Sequence, residues 1–464
     1  MVKESHSQRI VFESLLPDSE IELEPELKAI DTALEADPSI LRQVKEVISQ
    51  RQRFSKTLGR HSTPVEVVIR LLVIKHLFNW SFRKTISVVK DSFGLRYFAR
   101  IYLEKVPHYS VLARYEQLIP EDALKKLNDK IVQIAKNQKI TKGRKLRVDT
   151  TAVETNMHYP TDSSLLSDSV RVISRLFKKV KQAGIASGAI VRDVSRSTKR
   201  RVLNIVKFAQ GKSEQAQELF KKNYRELIDI TKHAVENAKR LKRTVVNRAR
   251  PINQQVVKLA RTVKTQLEHY IPLIENVIEQ AERRIFHGES VPNSEKIISI
   301  FEPHSYVIRK GKKSKPNEFG QVVKIQEADG KIITDFESYP SQVVDSDLFM
   351  PAVEKHIETF NRPPYLAAAD RGFYSAENEE SASKFGVKRV CLPKKGKKSK
   401  ERKKIEKSRW FKAGQRFRAG SEGKISVLKR GFGLHRCLNK GQDGFNRWVG
   451  WAVIASNLKT IANA

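Results

Sequence analysis

The chain has 464 residues, 88 Lys and Arg against 52 Asp and Glu, a formal net charge of +36 and a pI near 10.0. That length exceeds the size at which one core stops growing, and so large a basic excess goes beyond solubility and points to a polyanionic partner, nucleic acid first. With no apolar run of spanning length and no signal-like start, a membrane protein is disfavoured and a cytoplasmic, nucleoid-associated location is expected.

Residues 1–60 are weakly patterned and slightly acidic, and residues 30–136 read as helices. TPVEVVIRLLVIKHLFNW predicts a helix capped by Thr63 with Pro64 at its first position. SFRKTISVVKDSFGLRYFARI predicts two helices parted at Gly94, and HYSVLARYEQLI starts another. Short helices with polar starts suit a helix-turn-helix reader of DNA, and equally any small helical bundle.

RKLRVDTTAV predicts a strand. Residues 165–290 then return to long helices, with Leu259, Val263, Leu267, Ile271, Ile274 and Ile278 at helical spacing. Residues 171–250 hold 22 Lys/Arg against six Asp/Glu, a net +16 suited to backbone phosphates. HSYVIRKG, QVVKIQEADG and KIITDFESY predict strands, the last two joined through a turn at Ala328-Asp329-Gly330. A helix over 347–360, the strand PYLAAAD, a helix over 376–385 and the strand VKRVCLP follow. Lys394 to Lys404 holds eight basic residues in eleven and predicts a mobile loop. Beyond it come a helix bearing Glu422 and a closing apolar helix, in which Trp448 and Trp451 read as core. Cys391 and Cys437 form no CxxC unit and read as small packing residues.

Three acidic positions carry the chemistry. Asp149 follows an apolar strand, Asp370 ends another just before Arg371, and Glu422 has Arg418 four residues before it and Lys429 seven after. With the helical insertion set aside, the order is strand, strand, strand, helix, strand, helix, strand, helix. That is the order of an RNase H-like fold, whose first and fourth strands are central neighbours, so carboxylates on them can converge. Hard oxygen ligands suit Mg²⁺, and two such ions about 3.5–4 Å apart activate an attacking oxygen and stabilise a leaving one. Glu154 has the opposite strand parity, and Asp345 and Asp347 read as caps of the next helix. His158 and His435 belong to no metal motif, and Trp410 reads as a base-stacking residue or a loop anchor.

These residues resemble the DDE-type transposases of bacterial insertion sequences, within the RNase H-like and retroviral-integrase superfamily. The resemblance implies an all-α amino-terminal DNA-binding domain over 1–140 and an α/β RNase H-like catalytic domain over 141–464, interrupted by a helical insertion over 165–295. It implies that Asp149, Asp370 and Glu422 are catalytic ligands of two Mg²⁺ ions, with Mn²⁺ able to substitute, and that Arg418, Lys429 and Arg371 contact DNA phosphates. One large subgroup has Tyr, two residues, Arg, three residues, Glu, six residues, Lys. This chain keeps Arg418, Glu422 and Lys429 at those offsets, with Gln415 in the Tyr position. The implied partners are double-stranded DNA, as terminal inverted repeats and target, and a second copy of the chain in a homodimer on paired ends. A structure-specific nuclease of the same fold and a catalytically silent DNA-binding derivative are the rival readings.

Overall fold

The computed structural model describes residues 22–50, 62–186, 188–309 and 317–464. Two compact units divide the chain, one of residues 1–156 with 321–464 and the other of residues 157–320. The first unit begins with α1 (Pro25–Glu35), α2 (Ser39–Ser49), α3 (Val65–Leu77), α4 (Phe82–Asp91), α5 (Phe93–Phe98), α6 (Tyr109–Leu118) and α7 (Glu121–Asn137), followed by β1 (Lys145–Glu154). Helix α3 is apolar on every side, and apart from Glu66 all its residues are buried, as a central helix requires. It starts at Val65 rather than Pro64, because Pro64 is extended (ψ 145°), and Thr63 supplies no cap. The break between α4 and α5 falls at Ser92, whose hydroxyl accepts from Leu95 N at 3.3 Å, whereas Gly94 continues the helix. A serine that satisfies an orphan helix N–H is a stronger boundary than a glycine.

The second unit holds α8 (Asp162–Gln182), α9 (Ser195–Phe208), α10 (Glu214–Ala249) and α11 (Gln254–Ile285). Thr161 and Ser164 form a reciprocal capping box at the start of α8. The expected stripe on α11 is buried at Val263, Leu267, Ile271, Ile274 and Ile278, while Leu259 lies at its half-buried edge. These residues close a core with Leu227, Val235 and Leu241 of α10 and Leu166, Ile173 and Phe177 of α8. Strand β2 (Tyr306–Arg309) pairs antiparallel with residues 317–320.

The first unit resumes with β3 (Asn317–Ala328, from residue 321 on), β4 (Ile333–Tyr339), α12 (Phe349–Phe360), β5 (Leu366–Ala368), α13 (Ala376–Lys384), β6 (Arg389–Cys391), α14 (Lys400–Lys407), α15 (Arg409–Gly431) and α16 (Gly441–Ala462). β3 and β4 are antiparallel across the expected turn, where Gly330 takes φ 77°. Within this unit the sheet order is β4-β3-β1-β5-β6, and β5 runs parallel to both β1 and β6. One core joins α3, α7, β3, β4 and α16, with Trp451 fully buried in it and Trp448 nearly so. Asn457 of α16 ties this core together, donating to Asn128 Oδ1 and to the Ile333 carbonyl at 2.8 Å each.

The basic stretch expected as a loop is in part helix α14, capped by Ser399. Glu406 accounts for this order: its carboxylate accepts from Lys394 N, Lys398 and Arg402, and Arg402 also reaches Glu379 at 2.6 and 2.8 Å. Charges that sequence alone presents as mutually repelling are thus held by two carboxylates. No helix among the described residues is long and apolar enough to cross a membrane.

Candidate active site

Alternation along β1 sets the site. Leu146 and Val148 point into a core with Val353, Ala367 and Phe373, so Arg147 and Asp149 share the opposite face, where α15 lies. Arg147 forms a buried two-pronged pair with Glu327 of β3 and donates to the Phe417 carbonyl of α15 at 2.7 Å. Two residues on, Asp149 accepts from Ser421 Oγ of the same helix at 2.7 Å. The last paired residues of β1 and β5 are Arg147 and Ala368, and the same register carried two residues on sets Asp149, midway along β1, level with Asp370, just past the end of β5.

The electrostatics agree with that placement. Burial pushes the Asp149 carboxyl above its ordinary value, and the negative charge of Asp370 adds to the shift. Hydrogen bonds from Ser421 and the Thr150 amide, and the charge of Arg418, act against it. Asp370 Oδ1 accepts from Gly372 N at 2.6 Å.

Asp345 joins this pair, which corrects its reading as a helix cap. Helix α12 has no side-chain cap. Instead, Thr150 Oγ1 donates to Asp345 Oδ1 at 3.1 Å, and a Cβ at Gly372 would meet carboxylate oxygens of both Asp345 (2.6 Å) and Asp370 (2.8 Å). Only a residue without a side chain lets the two carboxylates approach from either side. Burial raises Asp345 as well, with Asp370 contributing. An acidic residue just before a helix is such a common cap that no local pattern marks Asp345; the contact across 195 positions with Thr150 does.

Helix α15 is continuous from Arg409 to Gly431, through both Gly420 and Gly423. Gly420 has a packing reason, because a Cβ there would fall onto Arg147 Nη1. At Gly423 nothing lies within 4 Å of such a Cβ. Arg418 is therefore on the helix and pairs with Glu422 at 3.0 Å, one turn away. Glu422 is largely exposed, and its neighbour Ser421 is the residue that touches Asp149. Gln415 points at the sheet, donating to Cys391 Sγ at 3.2 Å, so it makes a packing contact where the related motif has Tyr. Lys429 is half-buried further along the same helix, and Arg371 is exposed beside Asp370.

The structure thus brings Asp149, Asp370 and Asp345 together, with Glu422 on the adjoining helix paired to arginine. Among the described residues no group of three or more His, Cys, Asp or Glu side chains is arranged to hold a metal ion as it stands. Glu154 is held at its backbone by His435 and Cys437, His158 lies 3.5 Å from Asp168, and Trp410 packs beside Phe411. Cys391 and Cys437 form no disulfide and are buried, and burial pushes the Cys391 thiol up to about 11.

Fold and site together define a basic, mostly helical protein with a mixed sheet and carboxylates gathered on two neighbouring parallel strands and the turn beside them. Residues 24–118, helices α1 to α6, match the family described as Transposase domain (DUF772), which relates this part of the chain to transposases and supports a transposase-related function. No curated protein and no solved structure matches the chain.

Proposed function

We propose that the protein is a DNA transposase that binds the ends of its mobile element, cleaves the strand and joins the freed 3′-hydroxyl to target DNA. The observation that carries the reading is the nearness of Asp149 and Asp370, each two residues beyond the last pair of β1 and β5 and the one raising the other, with the Glu422 helix docked on Asp149 through Ser421. The order β4-β3-β1-β5-β6, with β5 parallel to its neighbours, supports an RNase H-like assignment of the sheet. The transposase-domain match and the net charge of +36 support DNA as the partner.

The donor set suits a hard divalent cation, since it offers carboxylate oxygens alone and burial disfavours the charged form of Asp149 that a cation would stabilise. Asp149 and Asp370 would hold Mg²⁺, or Mn²⁺ in its place, with Glu422 completing a set for two ions. Bound there, the metal would supply activation of water or a 3′-hydroxyl and stabilisation of the leaving oxygen. The chain's own residues orient these groups: Ser421 fixes Asp149, Thr150 fixes Asp345, and the Arg147–Glu327 pair anchors α15 to the sheet. Arg418 neutralises Glu422 and, with Arg371 and Lys429, offers cations for phosphate oxygens. Two copies on paired ends would form the working assembly.

Cleavage and joining assays with element-end DNA and a plasmid target test this reading. Asp149→Ala, Asp370→Ala and Glu422→Ala should each abolish cleavage and leave end binding nearly intact. Chelation should stop the wild-type reaction, and Mg²⁺ or Mn²⁺ should restore it. Cleavage at the wild-type rate by any variant removes that residue from the site. Cleaved but unjoined products would favour a nuclease, and a mobility shift alone a silent DNA-binding protein.

A further inference from the structure

A second site lies wholly within residues 157–320. A cavity of about 210 Å³ opens there between the start of α8, the end of α11 and the β2 hairpin, and three cations line it: Arg284, Lys296 and Arg309. Its one carboxylate, Asp162, is already matched: it is buried, accepts from Gln280 Nε2 at 3.1 Å and Arg284 Nη1 at 2.6 Å, and stands in the first turn of α8. Among the described residues no carboxylate forms an ion pair with Lys296 or Arg309. Burial first, then the positive charges of Arg284 and Arg309, lower Lys296 from its ordinary value, and the charge of Asp162 offsets this only in part. Cations that repel one another around a polar cavity are a site short of an anion.

The rim is aromatic. Tyr159 is 72% exposed and meets Phe319 edge-on, with ring centroids 5.3 Å apart and planes at 87°. A ring this exposed, with one T-shaped neighbour, offers a face for stacking. The volume is below the range of about 300–1,000 Å³ typical of drug-sized ligands, so it excludes a duplex and suits a small group.

We propose that this pocket holds one unpaired nucleotide of a DNA strand, its phosphate on Arg284, Lys296 and Arg309 and its base against Tyr159. The proposal rests on the reading of the chain as a DNA-binding protein. Phosphate alone would use the cations without the ring, and a duplex presents no free base face.

Fluorescence anisotropy tests this with the full chain, a labelled 15-nucleotide single strand, the duplex of the same sequence, and inorganic phosphate as competitor. Wild type should bind both DNAs. Tyr159→Ala should weaken single-strand binding about 5- to 150-fold, the range of one base–aromatic stack, and Tyr159→Phe should restore it. The Lys296→Ala/Arg309→Ala variant should weaken single-strand binding too and flatten its salt dependence by about 0.7 per lost contact, with duplex affinity changed less than about threefold. Unchanged single-strand affinity in these variants, equal losses on duplex, or displacement by inorganic phosphate at the nucleotide's own concentration would overturn the proposal and leave the DNA reading standing. Wild type that binds neither DNA would remove both. Melting temperatures equal to wild type are expected, since the substituted side chains lie at the surface.

Discussion

Two glycines one turn apart on α15 should respond to the same substitution with opposite signs. Gly423→Ala places a methyl group in open space, so only helix propensity changes, and the helix should gain about 0.8–1 kcal/mol. Gly420→Ala earns the same gain but puts its methyl group on the Arg147 guanidinium. Arg147 must then move its Nη1 off the Phe417 carbonyl, while Nε and Nη2 keep the pair with the buried Glu327. Losing a hydrogen bond from a charged donor costs about 1.5–3 kcal/mol, so the net loss is roughly 0.5–2 kcal/mol. With about 2–4 °C per kcal/mol for units of a few hundred residues, Gly420→Ala should melt at least about 1 °C below wild type and Gly423→Ala a few degrees above it. Differential scanning calorimetry of the two variants under one condition decides the matter. A Gly420→Ala protein as stable as Gly423→Ala would refute the crossing of Arg147 over α15, and with it the anchoring of the Glu422 helix to the strand of Asp149.

Other outcomes follow from the buried charges. Asp149 is raised in the folded chain, so its charged form costs stability above its folded pKa; Asp149→Asn should raise the melting temperature at pH 7, shrink that gain on acidification, and remove any stabilisation by Mg²⁺ in thermal melts. His76, stacked 5.5 Å from Trp451, and His356 are each lowered by burial to about 4 from 6.5. Each contributes stability that is fully present above 6.5 and lost as pH falls towards 4, at up to about 1.4 kcal/mol per pH unit. Urea denaturation across that window should show His76→Phe losing stability less steeply than wild type; an unchanged slope would mean that His76 is protonated in the fold. Glu116→Gln, which leaves Lys75 buried without its carboxylate 3.8 Å away, should destabilise the amino-terminal helices by about 3–5 kcal/mol in the same assay.

Sequence alone revealed what repeats locally. The strand of Asp149 was legible because Leu146 and Val148 alternate with polar neighbours, and the β3–β4 turn because Asp329-Gly330 separates two apolar runs. The nearness of Asp149 and Asp370 depends on a strand register that links residues 221 positions apart, such as Arg147 with Ala368, which only an assumed strand order could supply. Asp345 was read as a cap because the local signal of a cap and of a site carboxylate is the same. Gly420 and Gly423 are locally poor helix formers within α15, and the reason for the first, a guanidinium contributed from residue 147, lies far away in sequence. Likewise, α14 owes its order to Glu379 and Glu406, whose partners lie up to 23 positions away.

The burial of α16 among the amino-terminal helices bears on how the protein is made. Asn457 bonds Asn128 across 329 positions, and Trp451 lies against His76. While a ribosome is still translating, α3 and α7 have left the exit tunnel with their apolar faces uncovered, and the segment that covers them follows only some 329 positions later. Contacts of such separation are slow to form and leave the emerging chain exposed to aggregation and proteolysis. A chain stopped before Gly441 would carry Asp149, Asp370 and Glu422 yet lack the helix that completes the core of their unit. Premature termination should therefore yield degraded polypeptide rather than a shortened folded protein, and the first folded molecule appears only after synthesis has passed α16.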